Sequence, residues 1–212
     1  MKQIAVFDFD GTMIKDDSMI LFFKKYFNFS FKNTKKLLIL FIQLFKFYLK
    51  IYTRKQFKEI FINIIIDSSK TKNLKKIGRE FSGFILKLIF KGAIDEVKRL
   101  ASIGYETVLL SASPDFYLNG IKEAIGFDSL ICTTTDVIDG SVAITGYNCF
   151  GKNKIKKLKE EYPDSQVDWK NSYCFTDGPS DRQLLKLFGN AFVVNNKRLK
   201  KKNPCFGFIA WD

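Results

Sequence analysis

Short, mostly apolar runs that stop at polar residues recur along the chain. The four runs are Ile4–Phe7, Thr107–Leu110, Tyr173–Phe175 and Ala191–Val194. Asp8, Ser111 and Asn195 follow the first, second and fourth runs directly, and Asp177 lies just beyond the third. Because apolar runs of this length are typical of strands buried on both faces of a parallel sheet, we predict four strands that each end in a polar loop.

Between these runs, apolar residues recur at the three- and four-residue spacing of an amphipathic helix. This spacing predicts helices over Ala93–Ile103, Asn153–Tyr162 and Ser180–Phe188. Strands that alternate with helices indicate a doubly wound α/β fold. We therefore predict a Rossmann-like, three-layer α/β/α core around a parallel sheet.

Residues 16–89 have a different pattern, because they show no strand-like alternation and are rich in Phe, Leu, Ile and Lys. Helical faces are visible at Phe57, Ile60, Phe61 and Ile64, and again at Ile77, Phe81, Phe84 and Leu88. Asp17-Ser18 is the expected N-cap of the first helix. We predict that residues 16–89 form a helical insert in a core made of residues 1–15 and 90–212.

Two shorter segments lie outside this alternation. Asp139-Gly140 stands between apolar residues within 136–144, which is a strong signal for a β-hairpin. The basic run Lys197–Lys202 predicts a solvated loop near the end of the chain.

The chain of 212 residues contains no histidine, and this absence narrows its chemistry. It excludes Ser-His-Asp and Cys-His catalysis and a Cys/His zinc site, so proton transfers should fall to carboxylates, Lys or Tyr. The four cysteines are Cys132, Cys149, Cys174 and Cys205, and they form no CxxC pair. We expect buried, reduced thiols in a cytoplasmic protein.

The net charge of +13 attracts anions such as phosphate esters, nucleic acid or acidic lipid. Nothing resembles a nucleic-acid-binding module, so we predict no nucleic-acid partner. The most lipid-like segment, Leu37–Leu49, spans 13 residues and contains Gln43 and Lys46. A membrane-spanning helix needs ~20 apolar residues. We expect a soluble protein and favour internal packing of the Phe-rich insert over contact with a membrane surface.

Two carboxylates follow the first predicted strand. Asp8 and Asp10 should face the same side of the extended chain, with Phe9 pointing into the core. Gly11 allows a sharp turn directly after them. Two like charges this close need a cation between them, or a proton on one of them. Either arrangement suits phosphoryl transfer, because a protonated Asp10 is a general acid for a departing alcohol.

A second carboxylate pair, Asp177 and Asp181, follows a later predicted strand. Because ligands bind beyond the carboxyl ends of parallel strands, both acidic pairs should meet at one edge of the sheet. Ligands that are all oxygen select a hard cation, and Mg²⁺ is the usual one near phosphates.

These residues together resemble a known family. Asp8-Phe9-Asp10-Gly11-Thr12 matches the DxDGT motif of the haloacid dehalogenase (HAD) superfamily phosphatases. Ser111, Lys154 and the pair Asp177 and Asp181 resemble its second, third and fourth motifs, in family order. A helical insert between the first two motifs resembles the type-1 cap of subfamily IB, the phosphoserine-phosphatase-like branch, as do SASPD at 111–115 and NCFG at 148–151.

The resemblance implies a role for each matching residue. Asp8 would attack phosphorus and form an aspartyl-phosphate, and Asp10 would protonate the leaving alcohol and then activate water. Lys154 would neutralise charge on Asp8 and the phosphate. The residues expected to bind the substrate or its phosphate are Asp8, Gly11, Thr12, Ser111, Ala112, Lys154 and Arg54. Mg²⁺ would be held by Asp8, the Asp10 carbonyl and Asp177, with Asp181 assisting directly or through water.

The resemblance also implies a small phosphorylated metabolite as substrate, because the cap is short. Phosphoserine, an amino-alcohol phosphate or a glycerol-phosphate-like ester would fit, with Asp17, Lys25 and Arg54 as candidate cap contacts. The alternative is a membrane-surface lipid phosphatase of the phosphatidylglycerophosphatase kind, because Lys35–Lys50 is basic and rich in Phe and Leu. The sequence leaves this choice and the oligomeric state open.

Overall fold

The computed structural model describes residues 1–27, 34–66 and 71–212, and its strands match the predicted alternation. The strands in these residues are β1 (Ile4–Phe7), β2 (Glu106–Pro114), β3 (Ser129–Thr133), β4 (Thr135–Ile138), β5 (Ser141–Ile144), β6 (Tyr173–Thr176), β7 (Asn190–Val194) and β8 (Gly207–Ile209). Six of them form a parallel sheet in the order β3-β2-β1-β6-β7-β8. The four predicted strands, now β1, β2, β6 and β7, are confirmed.

Helices connect and cover these strands. They are α1 (Ser18–Tyr26), α2 (Thr34–Tyr48), α3 (Arg54–Ile65), α4 (Leu74–Ile85), α5 (Lys91–Ser102), α6 (Asp115–Ile125), α7 (Lys152–Glu161), α8 (Arg182–Leu185) and α9 (Lys197–Lys202). Short 3₁₀ helices cover Leu86–Leu88 and Pro179–Asp181. The predicted helices over 93–103 and 153–162 are confirmed as α5 and α7. In the part of the chain described, none of the helices has the length and apolarity needed to cross a membrane.

The sheet is buried on both faces, as its apolar runs predict. Alternate residues of β1 point to opposite sides, so that Ala5 and Phe7 pack in one hydrophobic cluster while Ile4 and Val6 pack in another. Helices α5 and α6 cover the first face, and α7, α8 and α9 cover the second. The predicted three-layer α/β/α fold is therefore confirmed.

Helices α1 to α4 lie between β1 and α5, and we call them the cap helices. Asp17 is the predicted N-cap of α1, and its side chain accepts the backbone N–H groups of Met19 and Ile20. The chain leaves and re-enters the core at one place, where Ile14 pairs with Ile89. That pairing supports a cap at 16–89 set into a core of 1–15 and 90–212, a division that stays a prediction.

The hairpin is confirmed as β4 and β5, which pair antiparallel. Its two turn residues, Asp139 and Gly140, have φ values of 48° and 74°. Positive φ at both positions is what a two-residue hairpin turn requires, and Asp-Gly supplies it at little strain.

Three sequence interpretations differ from the structure. The basic run expected as a loop is helix α9, because Asn196 caps it through the backbone N–H of Leu199 and Leu199 is buried. The helix expected over 180–188 begins as a 3₁₀ turn at Pro179 and its α-helical part ends at Leu185. Of the four thiols, Cys205 is exposed. Strands β3 and β8 and helix α6 had no prediction.

Candidate active site

A cavity of about 400 Å³ lies at the carboxyl ends of β1, β2 and β6, beside the cap helices. Among the described residues, five carboxylates border it, those of Asp8, Asp10, Asp17, Asp177 and Asp181. The acidic pairs that follow two separate strands therefore meet at one edge of the sheet, as expected from the sequence.

Asp8 directly follows β1 and is paired with a buried cation. Lys154, in the first turn of α7, lies 2.7 Å from Asp8 Oδ1 and 2.7 Å from Asp181 Oδ2, and all three side chains are buried. The Thr176 hydroxyl can donate to Asp8 Oδ2 at 3.0 Å or to Asp181 Oδ2 at 3.1 Å. Lys154 thus joins the first strand to the loop after β6, which brings three of the predicted site residues together.

The charges in this group favour an ionised lysine. Burial alone would lower the pKa of Lys154, but the carboxylates of Asp8 and Asp181 outweigh it and raise that pKa. Burial raises the pKa of Asp8, and the Lys154 ammonium opposes that shift. An ammonium this close stabilises the negative charge that Asp8 needs in order to act as a nucleophile.

Asp10 borders the same cavity as Asp8, while Phe9 between them is fully buried, as predicted. Asp10 Oδ1 accepts the backbone N–H of Ser18 at 2.7 Å, and Oδ2 accepts the hydroxyl of Ser113 at 2.6 Å. Burial raises the pKa of Asp10, and the charge of Asp17 adds to this rise. The carboxyl is therefore held in one orientation and biased toward the protonated form that a general acid needs.

A buried chain of hydroxyl groups extends from Asp10. The hydroxyl of Ser113 lies 2.9 Å from that of Ser18, which lies 2.8 Å from the hydroxyl of the fully buried Tyr117. Sequence reasoning missed the contact of Ser113 with Asp10, although Ser113 lies in the SASPD segment. The contact joins residues 103 positions apart, so no local pattern indicates it.

Gly11 and Thr12 hold Asp177. The Thr12 hydroxyl accepts the backbone N–H of Asp177 at 2.9 Å and donates to Asp177 Oδ1 at 3.3 Å. Gly11 has a φ of 74°, and a Cβ there would fall 2.2 Å from Asp177 Oδ2. A larger residue at position 11 would displace this carboxylate.

The predicted phosphate-binding residues are placed unequally. Ala112 borders the cavity, whereas Gly11, Thr12 and Ser111 are not part of its wall as the described residues form it. Ser111 is fully buried, and its hydroxyl accepts the backbone N–H of Ser113 at 3.0 Å. Contacts of Gly11, Thr12 and Ser111 with phosphate stay predictions.

The donor set suits a hard divalent cation. Among the described residues, no three Asp, Glu or Cys side chains form a cluster that could hold a metal ion by themselves. The predicted Mg²⁺ ligands do not require such a cluster, because one of them is the backbone carbonyl of Asp10. Burial raises the pKa values of Asp8, Asp10 and Asp177 around one cavity. A divalent cation would relieve this crowding of buried negative charge, and oxygen ligands of this kind fit Mg²⁺.

Among the described residues, the cap supplies two cations to the cavity wall, both from α3. Arg54 lies over the ring of Phe150 at 4.1 Å, in the cavity where the sequence predicted it. Lys58 was not predicted, and its ammonium donates to the carbonyl of Ala112 and to Asn148 Oδ1 at 2.7 Å. Burial lowers the pKa of Lys58 to about 8.

The other two candidate cap contacts differ in position. Asp17 borders the cavity in addition to capping α1. Lys25 lies over the ring of Phe84 at 4.6 Å and is not part of the cavity wall in the described residues. Of the three candidates, Asp17 and Arg54 therefore border the cavity, and their contact with a substrate stays a prediction.

Hydrogen bonds fasten α3 to the hairpin of the core and to the loop that follows it. Asn63 accepts the backbone N–H of Val142 and donates to its carbonyl, both at 2.8 Å. Glu59 accepts the backbone N–H of Ile144 at 2.8 Å, and Lys55 donates to the carbonyl of Gly146 at 2.8 Å. These contacts set α3 on one side of the cavity.

Comparisons with known proteins agree with this geometry. The model of the haloacid dehalogenase-like hydrolase family matches residues 5–186. A probable phosphatase of Mycobacterium tuberculosis is 24% identical over 204 residues, covering 93% of this chain and 70% of that protein. A protein of unknown function from Bordetella pertussis Tohama I shares the fold with a TM-score of 0.78 at 19% identity, covering 99% of this chain and 98% of that one. A phospho-aspartyl intermediate analogue of phosphoserine phosphatase shares it with a TM-score of 0.60 at 18% identity, covering 98% of this chain and 92% of that one.

Proposed function

Because the chain belongs to the haloacid dehalogenase-like hydrolase family, we propose that it is a Mg²⁺-dependent phosphatase that hydrolyses a small phosphate monoester through an aspartyl-phosphate on Asp8. The match of the family model to residues 5–186 confirms the family predicted from the DxDGT motif. The observation that carries the proposal is the pairing of Asp8 with the buried Lys154, in the same cavity as the firmly held Asp10.

The proposed reaction has two steps, the formation and the hydrolysis of an aspartyl-phosphate. In the first, a carboxylate oxygen of Asp8 attacks phosphorus, the phosphorus–oxygen bond to the alcohol breaks, and Asp10 gives its proton to the departing oxygen. In the second, water attacks the phosphorus of the aspartyl-phosphate and gives a proton to Asp10. The bond between the Asp8 oxygen and phosphorus breaks, so phosphate leaves, Asp8 is again a carboxylate and Asp10 is again protonated. The hydrogen bonds from Ser18 and Ser113 keep Asp10 in place for both transfers.

Positive charge around the cavity would balance the phosphate. Lys154 lies against Asp8, while Lys58 and Arg54 border the cavity from the cap. Mg²⁺, held by Asp8, the Asp10 carbonyl and Asp177, with Asp181 directly or through water, would supply further positive charge against the transferred group. Ser111 and the backbone near Gly11, Thr12 and Ala112 are the proposed contacts of the phosphoryl oxygens.

The size of the cavity supports a small ester. About 400 Å³ is near the lower end of ligand pockets in proteins, which suits phosphoserine, an amino-alcohol phosphate or a glycerol-phosphate-like compound. Asp17 and Arg54 border it and are the proposed specificity contacts.

A panel of phosphorylated metabolites, assayed for phosphate release with Mg²⁺, tests the proposal. We expect turnover of at least one ester by the wild type, loss of it with a chelator, and near-complete loss in Asp8→Asn. Asp16→Asn is the matched control, because Asp16 is an exposed aspartate outside the cavity wall. No turnover of any ester by the wild type, or turnover that survives in Asp8→Asn, would refute the mechanism.

A further inference from the structure

Helix α2 exposes large apolar side chains. Leu38, Phe41, Ile42 and Phe45 follow one another at spacings of one to three residues, with Phe41 60% and Phe45 62% exposed. On a helix, this spacing places them along one face. A contiguous apolar surface of this kind marks an interaction site rather than an ordinary solvated surface.

The stretch of sequence that contains this face carries charge of one sign only. Residues 18–58 contain ten Lys or Arg and no Asp or Glu. By helical position, Lys35 and Lys46 of α2 lie beside the apolar face. A helix with apolar residues on one face and lysines beside it has the pattern of helices that lie in the surface of an anionic bilayer.

The same helix reaches the candidate active site. Phe47 of α2 stacks on Phe57 of α3 with 4.6 Å between ring centroids, and both border the cavity. Phe61 and the half-exposed Ile20 border it too. The cap side of the cavity is therefore largely apolar, while the carboxylates that would act on phosphate lie on the core side.

We propose that the exposed face of α2 docks the enzyme on an anionic lipid bilayer, and that the small phosphate ester that enters the cavity is the phosphorylated head group of an amphiphile in that bilayer. The second half rests on the proposed function. The 15-residue helix is too short to span a bilayer, so it lies in the interface with its apolar face among the acyl chains. A second copy of the chain is a poorer occupant, because two basic faces would repel each other.

Sedimentation with vesicles tests the docking. The wild type should pellet with phosphatidylglycerol/phosphatidylcholine vesicles at low salt and stay in solution with phosphatidylcholine alone. The variant Phe41→Glu/Phe45→Glu should reduce the bound fraction at least tenfold. The matched control is Ile103→Glu/Ile138→Glu, which places the same charge on the surface outside the cap, at apolar residues that are 57% and 51% exposed. This control should bind the vesicles as the wild type does.

Activity separates docking from chemistry. On vesicles that carry phosphatidic acid or phosphatidylglycerol phosphate, Phe41→Glu/Phe45→Glu should lose at least tenfold in turnover, while its hydrolysis of p-nitrophenyl phosphate in solution stays unchanged. Phe41 and Phe45 are not part of the cavity wall in the described residues, so the soluble reaction isolates the site itself.

Each further outcome has one meaning. If the wild type hydrolyses p-nitrophenyl phosphate but stays in the supernatant with anionic vesicles, the docking is refuted and the proposed function stands. Binding without hydrolysis of either lipid, while the soluble ester is hydrolysed, refutes the lipid substrate. If light scattering shows a wild-type dimer that Phe41→Glu/Phe45→Glu converts to a monomer, the face binds a second copy and the proposal is wrong. If no ester of the metabolite panel is hydrolysed, and neither p-nitrophenyl phosphate nor either lipid is, the proposed function fails, and vesicle binding alone decides the docking.

Discussion

The edge of the sheet and helix α2 differ in how their side chains are surrounded. At the sheet edge, Asp8, Asp10 and Lys154 each have close polar partners within the core. On α2, Phe41 and Phe45 are more than half exposed. A buried charge must be paired where it stands, which fixes the chemistry in the core. The exposed side chains of α2 have no such requirement, which leaves them available for the proposed contact with a bilayer.

Two residues of α3, the helix that packs on α2, contact the core and allow the comparison to be tested. Lys58 reaches from α3 into the cavity, and Asn63 fastens the same helix to β5. Changes in the core should affect the chemical steps. A change of Lys58 should affect substrate binding, and a change of Asn63 should affect stability. The expected effects on catalysis decrease in that order.

Asp10→Asn should give the largest effect, because it removes the general acid and base while leaving the cap intact. Steady-state turnover should fall by about 10²- to 10⁴-fold. With p-nitrophenyl phosphate, whose leaving group needs little protonation, the first turnover should still occur, so that rapid-quench assays show a burst of nitrophenol. A variant without a burst whose turnover is close to that of the wild type would mean that Asp10 is not the proton donor.

Lys58→Met should affect binding more than turnover, because it removes a cation from the cavity wall. The loss of one charge-assisted contact should raise KM by about tenfold with little change in kcat. Lys55→Met on the same helix is the matched control, because Lys55 donates to the carbonyl of Gly146 and is not part of the cavity wall in the described residues. A decrease in kcat with unchanged KM would place Lys58 in the chemical step instead.

The pH dependence gives a second measure of Lys58. Its pKa of about 8 in the folded enzyme lies below its ordinary value of 10.5, so kcat/KM should fall as the pH rises through 8 and the ammonium loses its proton. Between pH 8 and 10.5 the unfolded chain binds the proton more tightly, so the free energy of unfolding should increase with pH. Lys58→Met should lack both trends, and their persistence would assign them to another group.

Asn63→Ala should give the smallest effect on catalysis and act mainly on stability. It removes both hydrogen bonds to Val142 and leaves a backbone N–H and a carbonyl unpaired. Urea unfolding should show a loss of about 1–3 kcal/mol, with kcat changed less than threefold. The control, Asn119→Ala, alters an exposed asparagine of α6. If both variants are equally stable, the bonds to the hairpin do not fasten the cap.

Much of the core was predictable because its signals are local. The apolar run of β1, the carboxylates that follow it and the Asp139-Gly140 turn each lie within a few residues of sequence. Strand β8 has three residues, too few for a pattern. Helix α9 was wrongly predicted as a loop, because its six residues include five basic ones and its stability comes from a cap and one buried leucine.

The parts of the site that sequence reasoning missed depend on contacts between distant segments. Lys58 and Lys25 are both lysines of predicted helices, and only the packing of α3 on the core places Lys58 in the cavity. Ser113 meets Asp10 because β2 lies beside β1 in the sheet. Such contacts follow from the tertiary fold, which single-residue patterns do not specify.

The most direct test of the account is the site of phosphorylation during turnover. The enzyme, mixed with substrate and Mg²⁺ and quenched in acid within the first turnovers, is digested and examined by mass spectrometry. We expect one phosphoryl group on the peptide that contains Asp8, and more of it in Asp10→Asn, whose second step is slowed. Phosphate on another residue, or steady turnover in which the Asp8 peptide never carries phosphate in either protein, would contradict the account.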